Sequence, residues 1–181
     1  MNQNINKIKK LSSTLRLLVR FLIVAIPSYY LIYWVFINQL PTTLISVNTE
    51  PKMILEYPLE VKFQIIGFLF ALPVLLSLLY GLVNVDKLFI FYQKGVVFSY
   101  DQVRLFKNIS KALIFWVVAS TIYQSAKSVL FTLHNPPGER MITIGFGSAE
   151  VMILVVAALA ILVAWTVEEG QHLSEEQKYT I

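Results

Sequence analysis

Residues 151–167 read VMILVVAALAILVAWTV, seventeen positions without a charge between Glu150 and Glu168. A helix needs about 20 apolar residues to cross roughly 30 Å of hydrocarbon, and this run is close to that length. Three more runs of the same kind precede it, at about 17–37, 61–83 and 112–133. Backbone groups in hydrocarbon find no water, so spans of this length must satisfy their hydrogen bonds internally and are therefore helical. The expected fold class is an all-α integral membrane protein with four transmembrane helices, forming a single membrane domain over residues 1–181.

Composition agrees. Of 181 residues, 56% are hydrophobic and 14% charged, and the mean hydropathy is +0.65. A soluble domain carries about a quarter charged residues, so this chain has too few to solvate a closed surface. The first run is flanked by Lys7, Lys9, Lys10, Arg16 and Arg20, as a secretory signal would be. It is too long for a signal's apolar region, lacks a small-residue cleavage site, and ends in the aromatic belt YYLIYWVF.

Lys and Arg set the orientation. Five lie in the N-terminal segment, five in 84–111 (Lys87, Lys94, Arg104, Lys107, Lys111), and Lys178 lies in the C-terminal segment. The opposite side holds Lys52, Lys62 and Arg140, with Lys127 inside a span. Eleven against three predicts that both termini and the 84–111 loop are cytoplasmic. The net charge of +4 then reflects orientation and contact with anionic headgroups, not a nucleic-acid surface. With no cysteine in the chain, disulfides, thiolate metal sites and lipidated cysteines are excluded.

Two external segments separate the spans. The first, 38–60, contains three prolines and a short stretch, TTLISV, of extended character. The second, 134–149 (HNPPGERMITIGFGSA), opens on a turn signal, and its apolar MITIGF dips back toward the membrane interface.

The octapeptides GVVFSYDQ (95–102) and GQHLSEEQ (170–177) share one pattern: Gly, two residues, a large apolar residue, Ser, any residue, an acid, Gln. Each reads as a helix boundary. Gly95 and Gly170 stop one helix in the left-handed conformation. Ser99 with Gln102, and Ser174 with Gln177, form capping boxes for the next. Phe98 and Leu173 occupy the staple position before the cap, and Asp101, Glu175 and Glu176 suit the positive end of the new helix. Each copy follows a pair of spans, so the pattern fits either a parallel duplication of a two-helix unit or two separate uses of one boundary device. On this reading 84–111 is mostly helical and membrane-hugging, and 168–181 is an acidic cytoplasmic tail.

Within the spans, Tyr123, Gln124, Ser125 and Lys127 form a polar patch, and Glu150 opens the fourth helix at a similar depth. An intramembrane charge is a functional hypothesis by default. A Lys127–Glu150 ion pair would satisfy both groups and join helices three and four. Pro73, with Gly67 and Gly81, offers a kink in the second span. His172 stands among Glu168, Glu175 and Glu176, but Gly170 interrupts the set and no second histidine is near; His134 lies in a turn. No catalytic set, metal site or cofactor motif assembles.

The stretches KGVVFSYDQVRLFKNISKALI (94–114) and EEGQHLSEEQKYTI (168–181) resemble the two signatures of a bacterial membrane family catalogued as the domain-of-unknown-function 2975 family. The resemblance covers most of the chain. Here acidic Glu168 and Glu169 stand where basic residues are more usual, and Tyr179 precedes Thr180–Ile181. The resemblance implies four spans and no assigned activity. It also implies a helix-turn-helix regulator encoded nearby, hence a membrane partner of a transcription factor. The expected protein is a non-enzymatic, multi-pass protein of the bacterial inner membrane, in contact with lipid and acting as a regulatory or accessory partner through 84–111 and 168–181. The alternative is a small transporter, channel or immunity-type protein using the patch around Lys127. Homo-oligomerisation stays open.

Overall fold

The computed structural model describes residues 2–41, 55, 57–96 and 99–179. Four helices account for most of them: α1 Asn2–Val35, α2 Val61–Gln93, α3 Tyr100–Thr132 and α4 Ser148–Tyr179. A single 3-10 turn, Ile37–Gln39, follows α1, and the described residues contain no strand. All four helices are long and apolar enough to cross a membrane. At about 1.5 Å per residue, helices of this length reach roughly 48–51 Å, well beyond the ~30 Å of hydrocarbon.

The helices therefore outrun the apolar runs that announce them. The first begins at Asn2, near the start of the chain and not at Leu17. The 84–111 segment is the end of α2 and the start of α3, joined across 94–99. Pro73 lies inside α2, which continues through it. The expected extended stretch TTLISV, at 42–47, lies outside the described residues.

Many large apolar side chains point outward. Leu17 is 73% exposed, Phe21 69%, Val61 68%, Met152 66% and Leu76 62%. Soluble monomers rarely expose contiguous apolar patches beyond a few hundred Å², so this exterior suits hydrocarbon.

Interior contacts gather into two compact units, and each takes a portion of every helix. One comprises Met1–Val24, Leu78–Ile114 and Ile153–Ile181; the other comprises Ala25–Ser77 and Phe115–Met152. Neither follows the sequence halves that the repeated octapeptide suggests.

In the first unit, small residues bring helices close. A Cβ on Gly81 would lie 3.3 Å from the Ala112 Cβ. The fully buried Ser110 hydroxyl donates to the Ala157 carbonyl at 2.9 Å. Val103, Ala164 and Val167 form the core there, with Phe106 packed on it. Such close approach is how helices associate where lipid is as apolar as the side chains.

In the second unit the organising side chain is Trp34, 2% exposed. Its indole lies against Gly67, where any Cβ would overlap the ring, and its N–H donates to the Tyr123 hydroxyl at 3.0 Å. Just past α1, the Asn38 amide accepts from the Leu59 N–H and donates to the Leu59 carbonyl, both at 2.9 Å. That bidentate pair ties the end of α1 to the residues just before α2.

The Gly67 contact sets a prediction. Gly67→Ala forces the buried indole to move and should cost about 1–3 kcal/mol, the range for overpacking. Gly81→Ala meets only a tight methyl contact, offset by the roughly 1 kcal/mol that alanine gains over glycine in a helix. Thermal unfolding in detergent should show a clear loss for Gly67→Ala and little change for Gly81→Ala.

Candidate functional site

Two sets of residues carry polar chemistry, one in each compact unit.

The first surrounds the turn between α2 and α3. Gly95 adopts φ +79°, and the helix closes with the Gly95 N–H on the Tyr92 carbonyl (3.0 Å) and the Val96 N–H on the Phe91 carbonyl (3.1 Å). This is a Schellman closure, and its left-handed residue is glycine because other side chains strain there. Ser99 then caps α3, its hydroxyl accepting from the Gln102 N–H at 3.3 Å. Gln102 is fully buried, and its amide donates to the Val96 carbonyl at 2.9 Å. Only half of the expected capping box forms, because the glutamine secures the turn instead of the Ser99 N–H. Phe98 lies outside the described residues.

The second octapeptide behaves differently. The helix α4 runs unbroken from Ser148 to Tyr179, and the described positive-φ glycines are Gly95 and Gly138. Gly170 is therefore no stop, and Ser174 and Gln177 cap no new helix; their side chains lie outside the described set. Leu173 is 53% exposed, with no staple position to fill. A helical glycine costs only about 1 kcal/mol, and Glu, Gln, His and Leu around it sustain the helix. His172 stacks edge-on against Tyr100, ring centroids 6.1 Å apart. The described residues contain no group of three or more His, Asp or Glu arranged to hold a metal ion.

Charged ties complete this set. Asp86 on α2 accepts from Arg16 Nε at 3.0 Å and from Arg20 Nε at 3.1 Å, both on α1. Arg16 also donates to Gln93 at 3.0 Å. Lys107 on α3 pairs with Glu168 on α4 at 2.9 Å, and the Asn108 amide donates to Asn84 at 3.3 Å. Asp86 escapes a sequence reading because its partners lie some 70 residues away; the signal was an acid inside an otherwise basic and aromatic segment. Around these ties the exposed cations are Lys7, Lys9, Lys10, Lys87, Lys94, Arg104 and Lys111.

The second set contains the polar patch around Lys127. Lys127 is 7% exposed, and its Nζ lies 5.1 Å from the Tyr33 ring, 5.4 Å from Tyr123 and 5.5 Å from Phe131. Tyr123, Lys127 and Phe131 share one face of α3 by i, i+4 spacing, and α1 supplies Tyr33. The ammonium thus sits against the negative faces of three rings. The expected Lys127–Glu150 pair is absent: the Glu150 carboxylate accepts from the Gly147 N–H at 2.8 Å, capping its own helix. A local N–H left unpaired at a helix start is closer at hand than a cation on another helix. Ser125 donates to the Thr121 carbonyl of its own helix, and the buried Gln124 Oε1 has no partner. Beside Trp34, an open apolar groove of about 440 Å³ runs between α1 and α2, lined chiefly by Leu31, Val35, Val61, Ile65 and Phe68.

The two octapeptides are separable by experiment. Gly95→Ala should destabilise by about 1–2 kcal/mol, the cost of a left-handed L-residue, with Lys9 Cε only 3.0 Å from the new methyl. Gly170→Ala should instead stabilise by up to about 1 kcal/mol as a helix-interior substitution. Shifts of opposite sign in detergent unfolding midpoint would confirm the distinction; a loss in both would restore the two-boundary reading.

No curated protein and no solved structure matches the chain. One family profile does, over residues 46–181, its description being "Protein of unknown function (DUF2975)". The matched region holds both octapeptides, Lys127 with Tyr123 and Phe131, and three of the four long helices, and so the chain belongs to the DUF2975 family.

Proposed function

We propose that this chain is a non-enzymatic, multi-pass protein of a bacterial inner membrane with both termini cytoplasmic. It acts as a regulatory or accessory partner through 84–111 and 168–181. The observation that carries this reading is the continuation of the helices past their apolar runs, tied together by Arg16 and Arg20 with Asp86 and by Lys107 with Glu168. Insertion alone requires about 20 apolar residues per helix; an ion-paired helical extension offers an ordered surface as well. That surface carries exposed Arg104 and Lys111 on α3 and Glu169 on α4, groups suited to a charged protein partner such as a helix-turn-helix regulator, with anionic lipid beneath.

A second reading, a small transporter, channel or immunity-type protein, draws on Lys127. Burying an ammonium without a counter-ion costs several kcal/mol, which three cation–π contacts of about 0.5–2 kcal/mol each offset. Lys127→Met, keeping the apolar stem, should therefore leave stability within about 1 kcal/mol.

Complementation of a deletion strain separates the two. The regulatory reading predicts that Lys127→Met restores the wild-type transcript profile while Arg104→Glu/Lys111→Glu does not, both proteins reaching normal membrane levels. The opposite result, loss with Lys127→Met alone, replaces the regulatory reading with the second.

A further inference from the structure

The segment Met141–Gly147 joins the end of the external turn to α4, and it lies back along α3. The Met141 N–H donates to the Thr132 hydroxyl at 3.2 Å, and the Thr143 N–H donates to the Ser128 hydroxyl at 3.1 Å. The spacing is commensurate: two residues of extended chain advance about 6.6 Å, and the four helix residues from Thr132 to Ser128 advance about 6 Å. Both hydroxyls also donate within α3, Thr132 to the Ser128 carbonyl at 2.9 Å and Ser128 to the Ser125 carbonyl at 2.7 Å. Each is therefore oriented to accept from the strap.

The alternation continues on the outer side. Ile142 and Ile144 are each 75% exposed, and Phe146 is 52% exposed, while Gly145 is buried. No charge occurs between Arg140 and Glu150. At the far end the Glu150 carboxylate takes the Gly147 N–H. The strap thus presents a row of large apolar side chains outward, and its inward amides at Met141, Thr143 and Gly147 are paired by side chains.

We infer that residues 141–147 are immersed in lipid hydrocarbon and complete the fourth crossing, which is part extended strap and part helix. The inference rests on the membrane reading above. Backbone groups facing hydrocarbon must find partners within the protein, and Thr132, Ser128 and Glu150 supply them for the N–H groups of Met141, Thr143 and Gly147. It also accounts for the shortness of the uncharged run 151–167: at about 1.5 Å per residue its seventeen positions cover roughly 25 Å, and the strap supplies the remaining apolar thickness. The ligand of this surface is the acyl-chain region of the bilayer, which the outward Ile142, Ile144 and Phe146 contact.

The absence of cysteine in the chain makes single-cysteine labelling direct. Full-length Ile142→Cys, Ile144→Cys, Glu139→Cys and Leu159→Cys variants, reconstituted in phosphatidylcholine–phosphatidylglycerol vesicles, are exposed to a membrane-impermeant maleimide from both sides. Glu139→Cys should label, and Ile142→Cys and Ile144→Cys should lose labelling to the level of Leu159→Cys on the exposed apolar face of α4. Adding Ser128→Ala/Thr132→Val to Ile142→Cys should restore labelling, since the strap loses its hydroxyl partners. Labelling of Ile142→Cys and Ile144→Cys at the Glu139→Cys rate, with Leu159→Cys protected, overturns the strap inference and leaves the membrane reading standing. Labelling of Leu159→Cys overturns the membrane reading itself.

Discussion

Helices that cross hydrocarbon gain nothing by burying apolar side chains against each other, because lipid is an equally apolar neighbour. Cohesion must come from close backbone approach and from polar groups that have no other partner. The residues that hold this chain together are of those two kinds. Gly67 lets the Trp34 indole lie against α2, Gly81 lets α2 approach Ala112, and Ser110 reaches a carbonyl on α4. Where the helices carry polar faces, Asp86 gathers two arginines and Glu168 meets Lys107. Many leucines and phenylalanines, the core of a soluble bundle, lie on the outside, Leu17, Phe21 and Leu76 among them.

The same constraint explains the placement of the hydroxyl and carboxylate groups. Ser128 and Thr132 each serve α3 and the strap at once, and Glu150 closes its own helix start. Backbone N–H groups near an apolar exterior take whichever acceptor is nearest, so Glu150, which the sequence suggests as a partner for Lys127, is absorbed into backbone satisfaction. Lys127 is the exception. Among the described residues it meets no carboxylate and is held by three aromatic faces, which keeps it the strongest single-residue candidate for a role beyond architecture.

The four helices were legible because an apolar run of about 20 residues has one structural outcome in a membrane. Their true ends were less so: α1 begins among Asn, Gln and Lys residues, whose helicity no hydropathy pattern announces. The turn at Gly95 was legible because left-handed glycine followed by Ser is a local device with local causes. Its copy at Gly170 misled, since a helix tolerates one glycine when the residues around it propagate the helix. The Lys127–Glu150 pair misled for a related reason: depth along two helices says nothing of which neighbour a carboxylate meets first. Asp86 and the Ser128–Thr143 contact depend on pairing distant positions, and no local pattern contains that information.

The account rests on four crossings with the basic ends on the cytoplasmic side. The most direct measurement is a set of reporter insertions in cells, using a fluorescent protein that folds only in the cytoplasm and a phosphatase active only outside it. Fluorescence is predicted for fusions at both termini and for an insertion between Gly95 and Ser99. Phosphatase activity is predicted for an insertion at Pro137–Gly138. Phosphatase activity at either terminus, or fluorescence at Pro137, would contradict the four-crossing arrangement and the cytoplasmic role built on it.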